Sequence, residues 1–217
     1  MLFLNILKHI IYTGLKRRKI KMYDFEKMLA AIPGKRVKHT LGTRDTALML
    51  AARHFPELDK SEVEAAAILH DVTKALTVEE HKKLCESYGI TLDENALLAP
   101  RVYHQMTGAA VAKHEFGLSD DAANAIRYHT TGRANMSPME LVLLFADYIE
   151  PNRTYDGCEQ LQGYYEQLYA ANDAFALEKA IVKAFSMTII EILDREEFIH
   201  PDILFARNDL IKKISKG

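Results

Sequence analysis

No stretch of this chain alternates apolar and polar residues for long enough to make a strand, while helix start and stop signals recur along it from Phe25 onward. Pro33-Gly34 breaks a short helix over 25–32, and a longer one then carries His39, with Val37, Leu41, Leu48 and Ala51 as its apolar side. Ser61 with Glu64 makes a capping-box signal for a helix ending at His70-Asp71. Thr77 with Glu80 makes another, for a helix that Gly89 ends. The spans 102–116 and 119–129 carry His104 and His129 and stop at Gly117 and at Thr130 to Gly132. Ser137-Pro138 with Glu140 is the clearest start, because serine caps, proline fits the first turn and glutamate closes the box. That helix runs to Ile149, with Asp147 in its last turn, and is cut at Glu150-Pro151. Helical segments at 159–170, 174–194 and 201–215 complete the pattern, so the chain is expected to be an all-α helical bundle.

A length of 217 residues with 48% hydrophobic content suits one sizeable core, and a single domain over 22–217 is expected. Residues 1–21 read as an amphipathic appendage or start-site extension: Leu2, Ile6, Ile10 and Leu4, Leu7, Ile11 recur at helical spacing before the basic run Lys16 to Lys21. The apolar part is too short to span a bilayer and lacks the features of a secretory signal. Lysine and arginine (28) nearly balance aspartate and glutamate (30), so no general attraction to nucleic acid or anionic membrane is expected, and a small charged substrate fits better than a polymer. Cys85 and Cys158 are far apart and form no CxxC or zinc-finger spacing. A reducing, cytoplasmic home is the expectation.

The chemistry lies in His39, His70-Asp71, His104, His129 and Asp147, six residues on five helices, successive members about one helix plus a loop apart. Imidazole and carboxylate donors suit first-row divalent metals such as iron and manganese. A single ion held by His39, His70, Asp71 and Asp147 would leave His104 and His129 without a role, whereas a bridging Asp71 lets them hold a second ion. Two such ions can share a hydroxide that attacks a phosphoryl group, so phosphate-ester or anhydride hydrolysis is the implied reaction. It also needs nearby cations. Lys74, one turn beyond Asp71, and Arg36, one turn before His39, are candidates, although solvated helix charge is an equal reading of both. Arg133 and Arg153 lie in loops that follow ligand-bearing helices. His9, His54, His81, His114 and His200 read as caps or hydrogen-bonded packing residues. Tyr103, Tyr128, Tyr148 and Tyr155 sit beside candidate ligands, with packing as their plainer role and stacking on a nucleobase as the alternative.

His39, His70-Asp71 and Asp147 resemble the H…HD…D signature of the HD-domain superfamily of metal-dependent phosphohydrolases, which are all-helical. The segments Arg36 to Gly42, Leu69 to Lys74, His104 with Thr107-Gly108-Ala109, His129-Thr130-Thr131-Gly132 and Ala146 to Arg153 are similar to the bacterial YqeK family over roughly residues 22 to 195. The resemblance implies a symmetrical dinucleoside tetraphosphatase that splits diadenosine tetraphosphate into two ADP at a di-iron centre, manganese being the other candidate metal. It implies His39, His70, Asp71, His104, His129 and Asp147 as metal ligands, Asp71 and Lys74 as catalytic, and Lys74, Thr130, Arg133, Arg153 and Arg36 as phosphate contacts. The expected partner is a small dinucleotide; a homodimer is left open. The alternatives are an HD phosphohydrolase acting on a nucleoside monophosphate, a deoxynucleoside triphosphate or a guanosine alarmone, and a non-catalytic nucleotide sensor.

Overall fold

A computed structural model describes residues 23–154 and 157–217; the appendage expected at 1–21, His9 and Tyr155 lie outside them. The described residues form eleven α-helices and two short 3-10 turns, with no strand. In order these are α1 (Phe25–Ala30), α2 (Val37–His54), α3 (Lys60–Leu69), α4 (Val78–Ser87), α5 (Glu94–Leu98), α6 (Tyr103–Glu115), α7 (Asp120–Tyr128), α8 (Pro138–Ile149), α9 (Cys158–Ala170), α10 (Ala176–Asp194) and α11 (Pro201–Ile214). The all-α expectation holds.

Helix α8 is the axis of the bundle. Its run Met139 to Ala146 is buried on every side, the pattern of a core helix rather than a surface one. It packs against α2, α3, α7, α9 and α10. On α2 the buried face is small, made of Thr40, Gly42, Thr43, Thr46 and Ala47 before Leu50. Small side chains let two helix axes approach closely, which brings the first turn of α2 beside the last turn of α8. Helices α9 to α11 close the other side, with Leu161, Tyr165, Ile181 and Phe185 in the same core.

Most boundaries follow the capping chemistry. Thr77 and Ser137 both close full capping boxes, with Glu80 and Glu140 respectively. Ser61 does not cap α3. Asp59 does, accepting from Ser61 N at 2.9 Å, and the helix begins at Lys60. The carboxylate that falls three residues after this cap is that of Glu62, which instead binds the Tyr23 hydroxyl and Ser119, so no box forms. α10 starts at Ala176 rather than 174, because Asp173 turns its carboxylate back onto Phe175 N at 2.8 Å. The short α5, capped by Asp93, has no counterpart among the expected helices. Beyond α3 the chain turns tightly: Lys74 N donates to Asp71 O at 3.0 Å, which puts Lys74 one turn past Asp71 although the helix has ended at Leu69.

Gly132 ends the turn after α7 with φ of 63°, and a Cβ there would come within 2.8 Å of both Ala206 Cβ and Phe185 Cζ. Backbone conformation and close approach both demand glycine. Among the described residues no helix is long and apolar enough to cross a membrane.

The two serine signals separate cleanly by experiment. Ser137→Ala is expected to cost about 1 kcal/mol in urea unfolding, as loss of a true N-cap does, whereas Ser61→Ala should stay within about 0.5 kcal/mol of the parent.

Candidate metal centre

All six candidate ligands sit at helix ends that meet on one side of α8. His39 lies in the first turn of α2, His70 caps the C-terminus of α3 with Asp71 next, His104 opens α6, His129 caps α7, and Asp147 is in the last turn of α8. His70, Asp71, His104 and His129 are buried, and His39 and Asp147 are partly so.

Local bonds orient the rings. The Nδ1 atoms of His70, His104 and His129 each lie 2.7 Å from the carbonyl oxygen three residues back, on Ala67, Arg101 and Ile126. A carbonyl only accepts, so each Nδ1 carries a proton and each neutral ring keeps its lone pair at Nε2. Those Nε2 atoms converge: His39 and His70 are 3.1 Å apart there, and His104 and His129 are 3.2 Å apart. Asp71 divides between the two pairs. Its Oδ2 lies 3.6 Å from His39 Nε2 and 3.4 Å from His70 Nε2, while its Oδ1 lies 3.5 Å from His104 Nε2 and 3.7 Å from His129 Nε2. Asp147 Oδ1 joins the first group, 3.0 Å from His39 and 3.6 Å from His70.

These residues fit a pair of cations. Lone pairs pointed at one another repel unless a positive charge lies between them, and Asp71 Oδ1 is buried without a hydrogen-bond partner. Donors held about 2.1 Å from one ion stand roughly 3.0 to 3.4 Å apart, close to the separations found. His39, His70 and Asp71 form one group able to hold an ion, and Asp71, His104 and His129 form another. The nitrogen and carboxylate donors suit a divalent metal ion.

The electrostatics agree. Burial by itself would raise the Asp71 pKa, but the neighbouring His70, His129 and His39 hold it well below the usual carboxylate range. Burial likewise opposes the charge on Asp147, which Arg153, His39 and His70 offset, keeping its pKa low. Burial, with Lys74 and His129 adding to it, depresses His104 strongly and leaves a neutral donor. His70 runs the other way: against burial, the field of Asp71 and Asp147 lifts it to about 10. A proton and a metal ion compete for that Nε2, and the field that favours one favours the other.

Cations ring the centre. Arg36 pairs with Asp71 Oδ2, and Arg153 donates to Asp147 Oδ1 at 2.5 Å and to its backbone oxygen at 2.8 Å. Lys74 Nζ is 2.9 Å from His104 Nε2, and burial lowers its pKa despite the nearby Asp71 and Asp147. Thr130 Oγ1 is 3.2 Å from His104 Nε2. Lys74, Thr130 and Arg153 line a cleft of about 1040 Å³ whose far wall is α10, with Met187, Ile190 and Arg195. Arg133 does not line it. Its Nε donates to the buried Glu140 at 2.9 Å and its guanidinium lies over the Tyr128 ring, so it is engaged in holding the start of α8. His81 bonds to Thr107, His54 to Tyr165, His114 stacks on Tyr88 and His200 caps α11, in line with their packing roles. Tyr103 is buried in a small cluster with Val102 and Met106. Only Tyr148 of the described candidate tyrosines lines the cleft.

Three contributors escaped the sequence reading. Arg101 and Arg195 reach the cleft from a loop and a helix end distant in sequence. Gln105, wholly buried, accepts from Thr130 N at 3.1 Å and donates to Thr131 Oγ1 at 3.2 Å, fastening the loop after His129. A glutamine beside a histidine carries no sequence signal for that role.

A helical frame that gathers four histidines and two aspartates at helix ends defines the histidine-aspartate class of metal proteins. The HD domain model matches residues 36–152. The chain is 34% identical to the symmetrical bis(5'-nucleosyl)-tetraphosphatase of Halalkalibacterium halodurans over 177 residues, 81% of this chain and 89% of the relative. It is 33% identical to the protein of the same name from Bacillus subtilis, over 80% of this chain and 88% of that one. A crystal structure from Clostridium acetobutylicum, described as a predicted HD superfamily hydrolase involved in NAD metabolism, superposes with a TM-score of 0.78 at 33% identity, covering 89% of this chain and all of that one. The chain belongs to the HD-domain family, in the group of these tetraphosphatase relatives.

If Asp71 bridges two ions, the native chain retains two divalent ions by elemental analysis after desalting, and Asp71→Ala retains at most one. A variant that keeps both would rule out the bridge.

Proposed function

We infer that this protein is a metal-dependent symmetrical bis(5'-nucleosyl)-tetraphosphatase, adding one water across the central P–O–P bridge of diadenosine tetraphosphate to give two ADP. The observation that carries this reading is the divided Asp71 carboxylate: one oxygen faces the His39 and His70 pair, the other the His104 and His129 pair, beside a cation-lined cleft into which His104, His129 and Asp147 open. The names of the Halalkalibacterium and Bacillus relatives support the substrate.

When bound, a metal pair supplies Lewis acidity and lowers the pKa of a coordinated water. His39, His70, Asp71 and Asp147 would hold one ion, and Asp71, His104 and His129 the other. The chain's remaining work is to bind and orient a strongly anionic bridge. The whole protein carries a net charge of only −2, so the attraction has to be local. Lys74 and Arg153 are cations beside the ligands, which supports phosphate contacts for both. Arg36 sets its guanidinium on Asp71 and keeps a partly exposed side chain, which supports a phosphate contact beside the ligands. The Thr130 hydroxyl offers a neutral donor held in place through Gln105. Arg133, bound to Glu140, supports the fold rather than the phosphates in this reading. Iron, with manganese as substitute, matches the donor set of imidazoles and carboxylates, and two buried cysteines far apart in the chain accord with a reducing cytoplasm.

A panel containing diadenosine tetraphosphate, NAD, a deoxynucleoside triphosphate, a nucleoside monophosphate and a guanosine alarmone tests the assignment by product chromatography. ADP as sole product from diadenosine tetraphosphate is expected. ATP plus AMP, or preference for another nucleotide, would reject it.

The two kinds of cation separate as well. Lys74→Ala and Arg153→Ala are expected to lower kcat/KM by about 10²-fold, the scale of losing one aligned charge-stabilising donor. Arg133→Ala should leave kcat/KM near the native value and lower the melting temperature, because Glu140 loses its cation in a buried position.

A further inference from the structure

Glu150 is wholly buried, just past the end of α8, and belongs to none of the residues assigned above. Its Oε1 lies 3.1 Å from His39 Nδ1. Its Oε2 accepts from Asn152 N at 2.8 Å and from Asn152 Nδ2 at 2.9 Å. The same Asn152 amide donates to Lys38 O at 3.2 Å, which ties this loop to the first turn of α2, one residue before His39. Room for the carboxylate depends on Gly42: a Cβ there would stand 2.1 Å from Glu150 Oε2 and 2.7 Å from Asn152 Nδ2. The glycine lies in a regular helix, so close approach rather than backbone freedom explains it.

The contrast with the other three rings gives this contact its meaning. His70, His104 and His129 donate from Nδ1 to a neutral main-chain carbonyl of their own turn. Among the four, only His39 turns its Nδ1 to a carboxylate, and that carboxylate comes from a different element. A carboxylate on the far nitrogen fixes the tautomer and ring orientation of a metal-binding histidine and raises its basicity more than a neutral acceptor does. We propose that Glu150, clamped by Asn152 and admitted by Gly42, is the positioning residue for His39 and makes the His39, His70 and Asp147 side the tighter of two unequal metal sites. The inference rests on the dinuclear reading above and adds to it an order of occupancy.

The test withdraws Mn²⁺ from the full loaded chain with a graded chelator and counts ions retained, alongside thermal melts of the stripped protein. The native chain is expected to release its two ions in separate steps. In Glu150→Gln the later step should move to about 10- to 100-fold weaker binding with the earlier step unmoved; Asn152→Ala should shift it in the same direction by less. A His39→Ala/Glu150→Gln double variant should release its ions as His39→Ala does. Equal weakening of both steps, unchanged release, or a lowered melting temperature without a change in the later step would overturn the proposal. Asn152 is only half-buried, so its variant keeps the discrimination even if Glu150→Gln does not fold. A native chain that retains fewer than two ions defeats the dinuclear reading itself, whereas two ions released unaltered from both variants defeat only the role of Glu150.

Discussion

The site depends on a local hydrogen bond repeated three times, in which an imidazole Nδ1–H donates to the carbonyl oxygen three residues back. Carbonyls in the last turn of a helix lack partners further along it. A histidine that caps the helix, as His70 caps α3 and His129 caps α7, therefore meets an acceptor at the correct reach. That bond selects the tautomer and turns the Nε2 lone pair away from the helix, into the space where the other ends meet. The negative poles of α3 and α7 point the same way and favour a cation there. His104 repeats the bond in the 3-10 turn before α6. Local chemistry thus prepares each donor before the tertiary fold assembles them.

Assembly rests on α8. Because α8 is buried along nearly its whole length, the core fixes the backbone that carries Asp147, and Arg153 from the loop beyond secures its carboxylate. The small-residue face of α2 lets that helix lie close against α8, bringing His39 Nε2 within 3.0 Å of Asp147 Oδ1. Rigid supporting elements matter for a metal site, since displacement of a donor by even a fraction of an ångström weakens coordination. The buried Glu140, paired with the partly exposed Arg133, secures the other end of α8, where its capping box sits. Polar groups at both ends of this apolar helix are matched, which permits a helix so hydrophobic to have a defined register.

The surrounding charges perform two tasks that pull in opposite directions. Two aspartates at the centre favour cations, and Lys74, Arg36 and Arg153 around them favour anions while limiting the negative charge accumulated there. Burial intensifies both effects, because low effective dielectric strengthens each interaction. The cleft opens past these groups toward α10, a helix whose own cleft-facing residues mix apolar and charged types. A ligand that carries both phosphates and apolar rings suits such a wall better than a simple phosphate ester does.

The sequence by itself determined the class of fold and singled out the histidines and aspartates that the structure brings together. Helical spacing, the Thr77 and Ser137 capping boxes and the glycine at 89 are local, since each depends on contacts within a few residues, and the structure contains them all. Histidine and aspartate types at helix ends likewise declare metal chemistry without long-range information. The cap of α3 was missed because Asp59 and Ser61 compete for one role and the Glu62 side chain is drawn off by Tyr23 and Ser119, partners far away in the chain. Only the tertiary structure decided which histidines pair, that the two Asp71 oxygens face different pairs, that Arg133 belongs to Glu140, and that Glu150 stands behind His39. Each of those is a distance between residues from separate helices, set by how closely the helices pack, and no periodicity along the chain encodes it.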